Sequence, residues 1–186
     1  METKAALLQA AEQSARTFGI DGFSFADLAR AVGIRKASVH HHFPTKADLA
    51  AEMVRRYHEA LLTDLDAIDA ASDTAGQRLR RQIARYRFAL GGGKTLCLCV
   101  ALSAGRESLT AEAIDALAEY RQTVRAWLTE VFAKGAADGT IIGPGQPEKD
   151  AAASLALLEG AQLWARTEMD IRRFDDAVGP LLARII

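Results

Sequence analysis

The sequence predicts an all-α protein of about nine helices, and three observations carry that expectation. Alanine, leucine, glutamate, glutamine and arginine dominate, aromatics are only 6% of 186 residues, and β-branched runs are nearly absent, which favours helix. No alternating apolar–polar segment is bounded by hairpin turns. Glycine and proline fall as punctuation at Gly19 and Gly22, Gly33, Pro44, Gly76, Gly91 to Gly93, Gly135 to Pro147 and Gly179-Pro180.

The first helix runs from about Thr3 to Phe18, with Leu7, Leu8, Ala11, Ala15 and Phe18 on one face. Ser24 followed three residues on by Asp27 forms a start signal that answers the free amides of a first turn. The helix it opens is short and stops at Gly33. Another short helix lies between Ile34 and Phe43, then Pro44-Thr45 breaks the chain and Thr45 with Asp48 opens a long helix to about Ala70. Later helices fall at roughly Thr74 to Leu90, Thr95 to Ser103, Thr110 to Ala137, Pro147 to Glu168 and Arg172 to Ile185. The segment DGTIIGPGQPEKD is the clearest loop, and Pro147 suits the first turn of the helix after it.

Composition excludes several classes. At 49% hydrophobic and 25% charged the chain matches an ordinary soluble globular protein. A net charge of -1 argues against a protein that coats nucleic acid. Cys97 and Cys99, the two cysteines, cannot be a secreted disulfide framework. Glu2, Lys4, Glu12 and Arg16 interrupt the N-terminal stretch, so it does not read as a signal peptide. The longest strongly apolar stretch, Thr95 to Ala104, is about half of a membrane span. The expectation is a soluble protein of the bacterial cytoplasm with no membrane partner.

The average charge hides a local asymmetry. From Leu28 to Ala47 there are four basic residues, Arg30, Arg35, Lys36 and Lys46, with three histidines and no acid. Two short helices joined by a glycine-containing turn are the helix-turn-helix plan. Phe25, Leu28 and Ala29 supply its first buried face, Gly33 suits a left-handed cap, and Val39 and Phe43 give the second helix a narrow apolar stripe. In that plan the second helix presents its N-terminal residues to base edges in the major groove, while flanking cations meet phosphates.

Written with this chain's letters, the segment reads G-F-x-F-x-x-L-A-x-x-V-G-I-x-K-A-S-V-H-H-H-F-x-x-K-x-x-L, and it resembles the DNA-binding domain of TetR/AcrR-type transcriptional regulators. The motif covers about a quarter of the chain. The resemblance implies an N-terminal three-helix head over residues 1–60 and a helical ligand-binding and dimerisation body over 61–186. It gives Ser24 a phosphate-contacting and capping role, and sets Arg35, Lys36, Ala37 and Ser38 at base edges. His40 and His42 fall where the family often has tyrosines on the DNA backbone, His41 falls on the groove-facing side, and Lys46 would clamp a phosphate; Arg30 adds a nearby cation. Arg35 departs from a common capping serine, and the histidines depart from both tyrosines.

The resemblance further implies a homodimer on double-stranded operator DNA, most simply a repressor released by a small-molecule effector. Such a dimer must space its recognition helices about 34 Å apart or a multiple, and a ligand preferring another spacing weakens DNA binding by the same coupling. Candidate pocket residues are the polar, aromatic or thiol groups among apolar helices: Tyr86, Cys97, Cys99, Arg106, Tyr120, Trp127, Gln162 and Trp164. Their apolar surroundings favour a largely hydrophobic effector, with a thiol-reactive one as the alternative. Leu155 and Leu158, with Phe174, Val178, Leu181, Leu182 and Ile185, form stripes suited either to a dimer seam or to internal core.

Other classes are weaker. Three consecutive helical histidines point about 100° apart and cannot converge on one metal ion, and no cofactor motif is present. A cysteine-dependent enzyme would lack a histidine partner, because all four histidines precede residue 61; the chain is therefore expected not to be an enzyme. An effector-independent DNA-binding protein is the other alternative, against which the long body argues. Histidine side chains ordinarily gain charge near pH 6.5, so operator affinity is expected to rise between about pH 7.5 and about pH 6 at constant salt. A flat profile in an anisotropy titration overturns that expectation.

Overall fold

The computed structural model describes residues 2–143 and 145–186; Pro144, within the expected loop, lies outside them. Among the described residues there are nine α-helices: α1 (Glu2–Phe18), α2 (Phe25–Val32), α3 (Lys36–His42), α4 (Lys46–Ala70), α5 (Ala75–Ala89), α6 (Leu98–Ser103), α7 (Ala111–Asp138), α8 (Pro147–Glu168) and α9 (Arg172–Leu182). The all-α expectation holds. The pairing of Ile141 with Ile185 is an isolated antiparallel bridge and not a sheet. No helix is long and apolar enough to cross a membrane, among the described residues.

Two compact units divide the chain: residues 1–59 with 98–120, and residues 60–97 with 121–186. In the first, α1 packs against α2 and α6, and α2 against α3. Leu7, Leu8, Ala11 and Ala15 are buried on α1, whereas Phe18 at its last turn is 67% exposed. Helix α6 is buried from Leu98 to Leu102. It begins three residues later than the pattern suggests, because Thr95 is occupied in the preceding turn, where its hydroxyl donates to the Ala89 carbonyl at 2.8 Å.

In the second unit α8 and α9 pack along each other, and α5 contacts both. Met169 joins α8 to α9 in the left-handed region (φ 55), and the Asp170 amide donates to the Ala165 carbonyl at 3.0 Å. Helix α9 stops at Leu182 rather than running to Ile185. The last residues instead pair across to the loop: the Ile142 amide donates to the Arg184 carbonyl at 2.9 Å and the Ile186 amide to the Thr140 carbonyl at 3.0 Å.

That loop also caps α5. Asp138 accepts the Ala75 amide at 3.0 Å and Thr140 Oγ1 accepts the Gly76 amide at 2.9 Å, answering donors that a helix start leaves open. Gly76 has no room for a side chain, since a Cβ there would lie 2.9 Å from both Ile185 and the Thr140 carbonyl. Hydrogen bonds from the Thr140 hydroxyl and then the Ala75 amide hold the Asp138 carboxyl below its ordinary value of 3.8. Its contribution to stability is therefore full above that value and lost as pH falls through the lower folded pKa. The melting-temperature advantage of the wild type over Asp138→Asn should shrink as pH drops below 3.8; an offset constant with pH overturns this.

Candidate nucleic-acid interface

Helix α3 has only seven residues, so its position comes from its surroundings. Ser24 sits in extended backbone and makes a reciprocal cap with Asp27. The Ser24 amide and hydroxyl donate to Asp27 Oδ2 at 2.9 and 2.7 Å, and Ser24 Oγ accepts the Asp27 amide at 3.3 Å. Those bonds from the Ser24 side chain and then its backbone hold the Asp27 carboxyl below its usual range. Arg30 pairs with the same carboxylate at 3.2 Å and is otherwise exposed. Gly33 then takes the left-handed conformation (φ 75, ψ 31), which an L side chain adopts at a cost of about 1 kcal/mol. The Ile34 amide closes the turn on the Ala29 carbonyl at 2.9 Å.

Val39 and Phe43 are buried at 0% and 2% exposure, which turns the rest of α3 outward. Arg35, Lys36, Ala37, His40 and His41 are exposed, and Ser38 and His42 half-buried. Arg35 occupies the N-cap position without a side-chain cap bond, leaving its guanidinium for outside contacts. The His40 ring stands edge-on to Phe25 at 4.9 Å. His41 and His42 lie 5.6 Å apart, ring to ring. No group of three histidine, cysteine, aspartate or glutamate side chains could hold a metal ion, among the described residues.

A groove of about 410 Å³ runs beside α3, and its walls include Ser24, Lys36, His40, Thr45 and Lys46. The structure thus brings together four residues that the sequence reading assigned to DNA. It adds Thr45, whose hydroxyl and amide donate to Asp48 at 2.7 and 3.0 Å in the cap of α4. The Ser/Thr–x–x–Asp signal had marked that position as a helix start but not as a wall of the site.

Lys46 differs from a simple outward clamp. Its ammonium donates to the Phe23 carbonyl and lies 4.4 Å from the centre of the Phe23 ring. Burial pushes its pKa below the usual lysine value, with the charges of Asp21 and Asp27 opposing. That bond uses one of the three N–H donors of the ammonium and leaves two for a phosphate.

A short cationic helix with its acid-free side turned outward is what a major-groove reader needs. The family described as bacterial regulatory proteins, tetR family, matches residues 7–53, most of this head. The head of the chain is of the TetR type. The chain of a TetR-family transcriptional regulator from Agrobacterium tumefaciens superposes with a TM-score of 0.92 at 28% identity, over 99% of this chain and 97% of that one. Regulatory protein TetR from Rhodobacter sphaeroides gives 0.90 at 20% identity, covering 100% of both. The reduced form of NemR from E. coli gives 0.84 at 23%, covering 100% of this chain and 98% of that one. No curated protein matches the sequence. The protein is a DNA-binding transcription regulator with a TetR-type helix-turn-helix.

Elsewhere in this regulator, the candidate pocket residues do not share one environment. Cys99, Arg106 and Tyr120 belong to the first unit, and Tyr86, Cys97, Trp127, Gln162 and Trp164 to the second. Tyr86, Cys97, Cys99, Tyr120 and Gln162 are buried. Tyr120 stacks on Tyr57 at 5.4 Å, and Gln162 Oε1 accepts the Cys97 amide at 2.6 Å. Trp127 is half-buried, with its indole N–H on Asp69 at 3.1 Å. Arg106 and Trp164 are surface residues instead: Arg106 opens an exposed turn, and the Trp164 indole donates to Glu168 at 2.6 Å with Arg173 over its ring. The sequence reading missed Gln82, fully buried on α5. Its signal was an amide on the same face as Leu79 and Tyr86.

Most of the candidate dimer-stripe residues are buried within the single chain. Leu155, Leu158, Phe174, Val178 and Leu181 are all under 9% exposed in the single chain, because α8 and α9 bury these faces within their own unit. Leu182 and Ile185 are half-buried, and Ile185 is held in the bridge with Ile141.

Two substitutions test the DNA face. Lys46→Ala is expected to weaken operator and random DNA alike and lower the salt slope by about one phosphate contact. Lys36→Ala should instead change half-site preference by about 1–3 kcal/mol. Equal loss on both DNAs for Lys36→Ala would overturn its base-reading role.

Proposed function

We propose that the protein is a homodimeric, ligand-responsive repressor of the bacterial cytoplasm. Each head reads half of a near-palindromic operator, and a small effector releases it. The observation that carries this reading is the convergence of Ser24, Lys36, His40 and Lys46 on one groove beside an outward, acid-free α3. In this reading residues 1–60 bind DNA and residues 61–186 bind the effector and the partner.

Dimerisation is supported by the face of α8 opposite the intrachain seam. Ala152, Ala153, Ala156, Gly160, Leu163 and Trp164 are exposed at helical spacing, and a Cβ at Gly160 would meet nothing within 4 Å. Small residues let a second helix approach closely, and Leu163 and Trp164 give it apolar area. Leu163→Glu is expected to convert dimer to monomer in light scattering and to weaken operator binding at least about ten-fold, since an isolated head loses the second half-site. A dimer undisturbed by Leu163→Glu and by Gly160→Arg overturns this assignment.

An effector site in the second unit is supported by two buried amides. Neither amide atom of Gln82 has a hydrogen-bond partner, and neither does Nε2 of Gln162, among the described residues. Buried amides are ordinarily satisfied, so a ligand with uncharged polar groups on an apolar body suits them. Cys97 and Cys99 are both buried, so a thiol-reactive effector must first reach the interior. If release from DNA survives serine at both positions, the thiol route is excluded. The non-enzymatic reading rests on the absence of a catalytic motif from the sequence.

A further inference from the structure

Within the second unit, an open groove of about 530 Å³ runs between α5 and the second half of α4. Its lining includes Asp64 and Ile68 from α4 and Arg81, Ala84, Arg85 and Phe88 from α5. The volume falls in the range of small-ligand pockets. Phe88 is 90% exposed, more than any other large hydrophobic side chain among the described residues. A ring in that position leaves apolar area in water that a non-polar ligand body would cover.

The charges of the groove are unequal. Arg85 and Asp64 close on each other at 2.7 Å across it, and the Arg85 side chain is 18% exposed. Arg81, one turn earlier on the same face of α5, is exposed. It has no side-chain partner among the described residues. One guanidinium is therefore uncompensated beside an apolar floor. Guanidinium binds a carboxylate through two parallel N–H···O bonds, stronger and more directional than a contact to a neutral group.

We propose that the α4–α5 groove binds a small organic anion, a carboxylate carried on an apolar body. The carboxylate meets Arg81, and the body lies against Ile68, Ala84 and Phe88. Arg85 stays with Asp64, so the site keeps one positive charge and rejects cations. The site lies within the second unit and requires no particular reading of the head.

Isothermal titration of the full chain with octanoate, without DNA, tests the proposal. Saturable binding is expected, with octanol about ten-fold weaker or more and octylamine not bound. Arg81→Gln should weaken octanoate by a similar factor and leave octanol unchanged, while Phe88→Ser should weaken both. Melting curves matching the wild type show that these exposed substitutions leave the fold intact. No saturable octanoate binding, equal affinity for octanol, or wild-type affinity in Arg81→Gln each overturns the proposal. Because DNA takes no part, these outcomes are independent of whether the chain is a repressor.

Discussion

Helix α3 is too short to persist in water on its own hydrogen bonds, and its outer side chains can address DNA only while its inner edge stays buried. Val39 and Phe43 provide that edge, and both are nearly inaccessible to solvent. The left-handed turn at Gly33 aims the helix from the C-terminal end of α2, and the Ser24–Asp27 cap secures the opposite, N-terminal end. Residues outside α3's exposed face thus decide where that face sits. The arrangement also explains why Arg35 can stand at an N-cap without capping: tertiary burial holds the helix start that a serine would otherwise secure.

Electrostatically, the head separates its charges by side rather than by number. Asp27 and Asp48 are engaged in helix caps, and Glu52 is drawn to Lys4 and Arg55. These acids are consumed locally, so the cations of α3 face outward without nearby competition. The overall charge of -1 then limits attraction to arbitrary DNA, which favours a specific site over the many non-specific ones.

Much of the fold was legible because its signals are local. Caps at Ser24 and Thr45, the glycine at position 33 and the proline opening α8 each follow from chemistry within four residues, and helix limits matched to within a few positions. The groove beside α3 was legible for a similar reason, since its walls come from one continuous segment. What escaped depends on distant partners. Nothing in the run from Leu98 to Tyr120 announces that it joins the first unit. The stripes on α8 and α9 were read correctly as apolar, but periodicity cannot say whether a stripe faces its own chain or another. Trp164 looked like an interior group because it follows a mostly apolar run on α8, and Arg106 stood at a helix end where a solvated position was the alternative; the tertiary fold leaves both at the surface. Gln82 was hidden among the arginines of α5.

Those arginines have a mechanical consequence. Arg78 and Arg85 pair with Asp69 and Asp64 on α4, and Arg87 pairs with Asp175 on α9. Individually such partly exposed pairs contribute little. Together they set the axial register of α5, because a slide by one turn, about 5.4 Å, would part all three at once. The helix can follow its neighbours as a block or jump to a new register, but gradual slippage past them meets a barrier at every intermediate position.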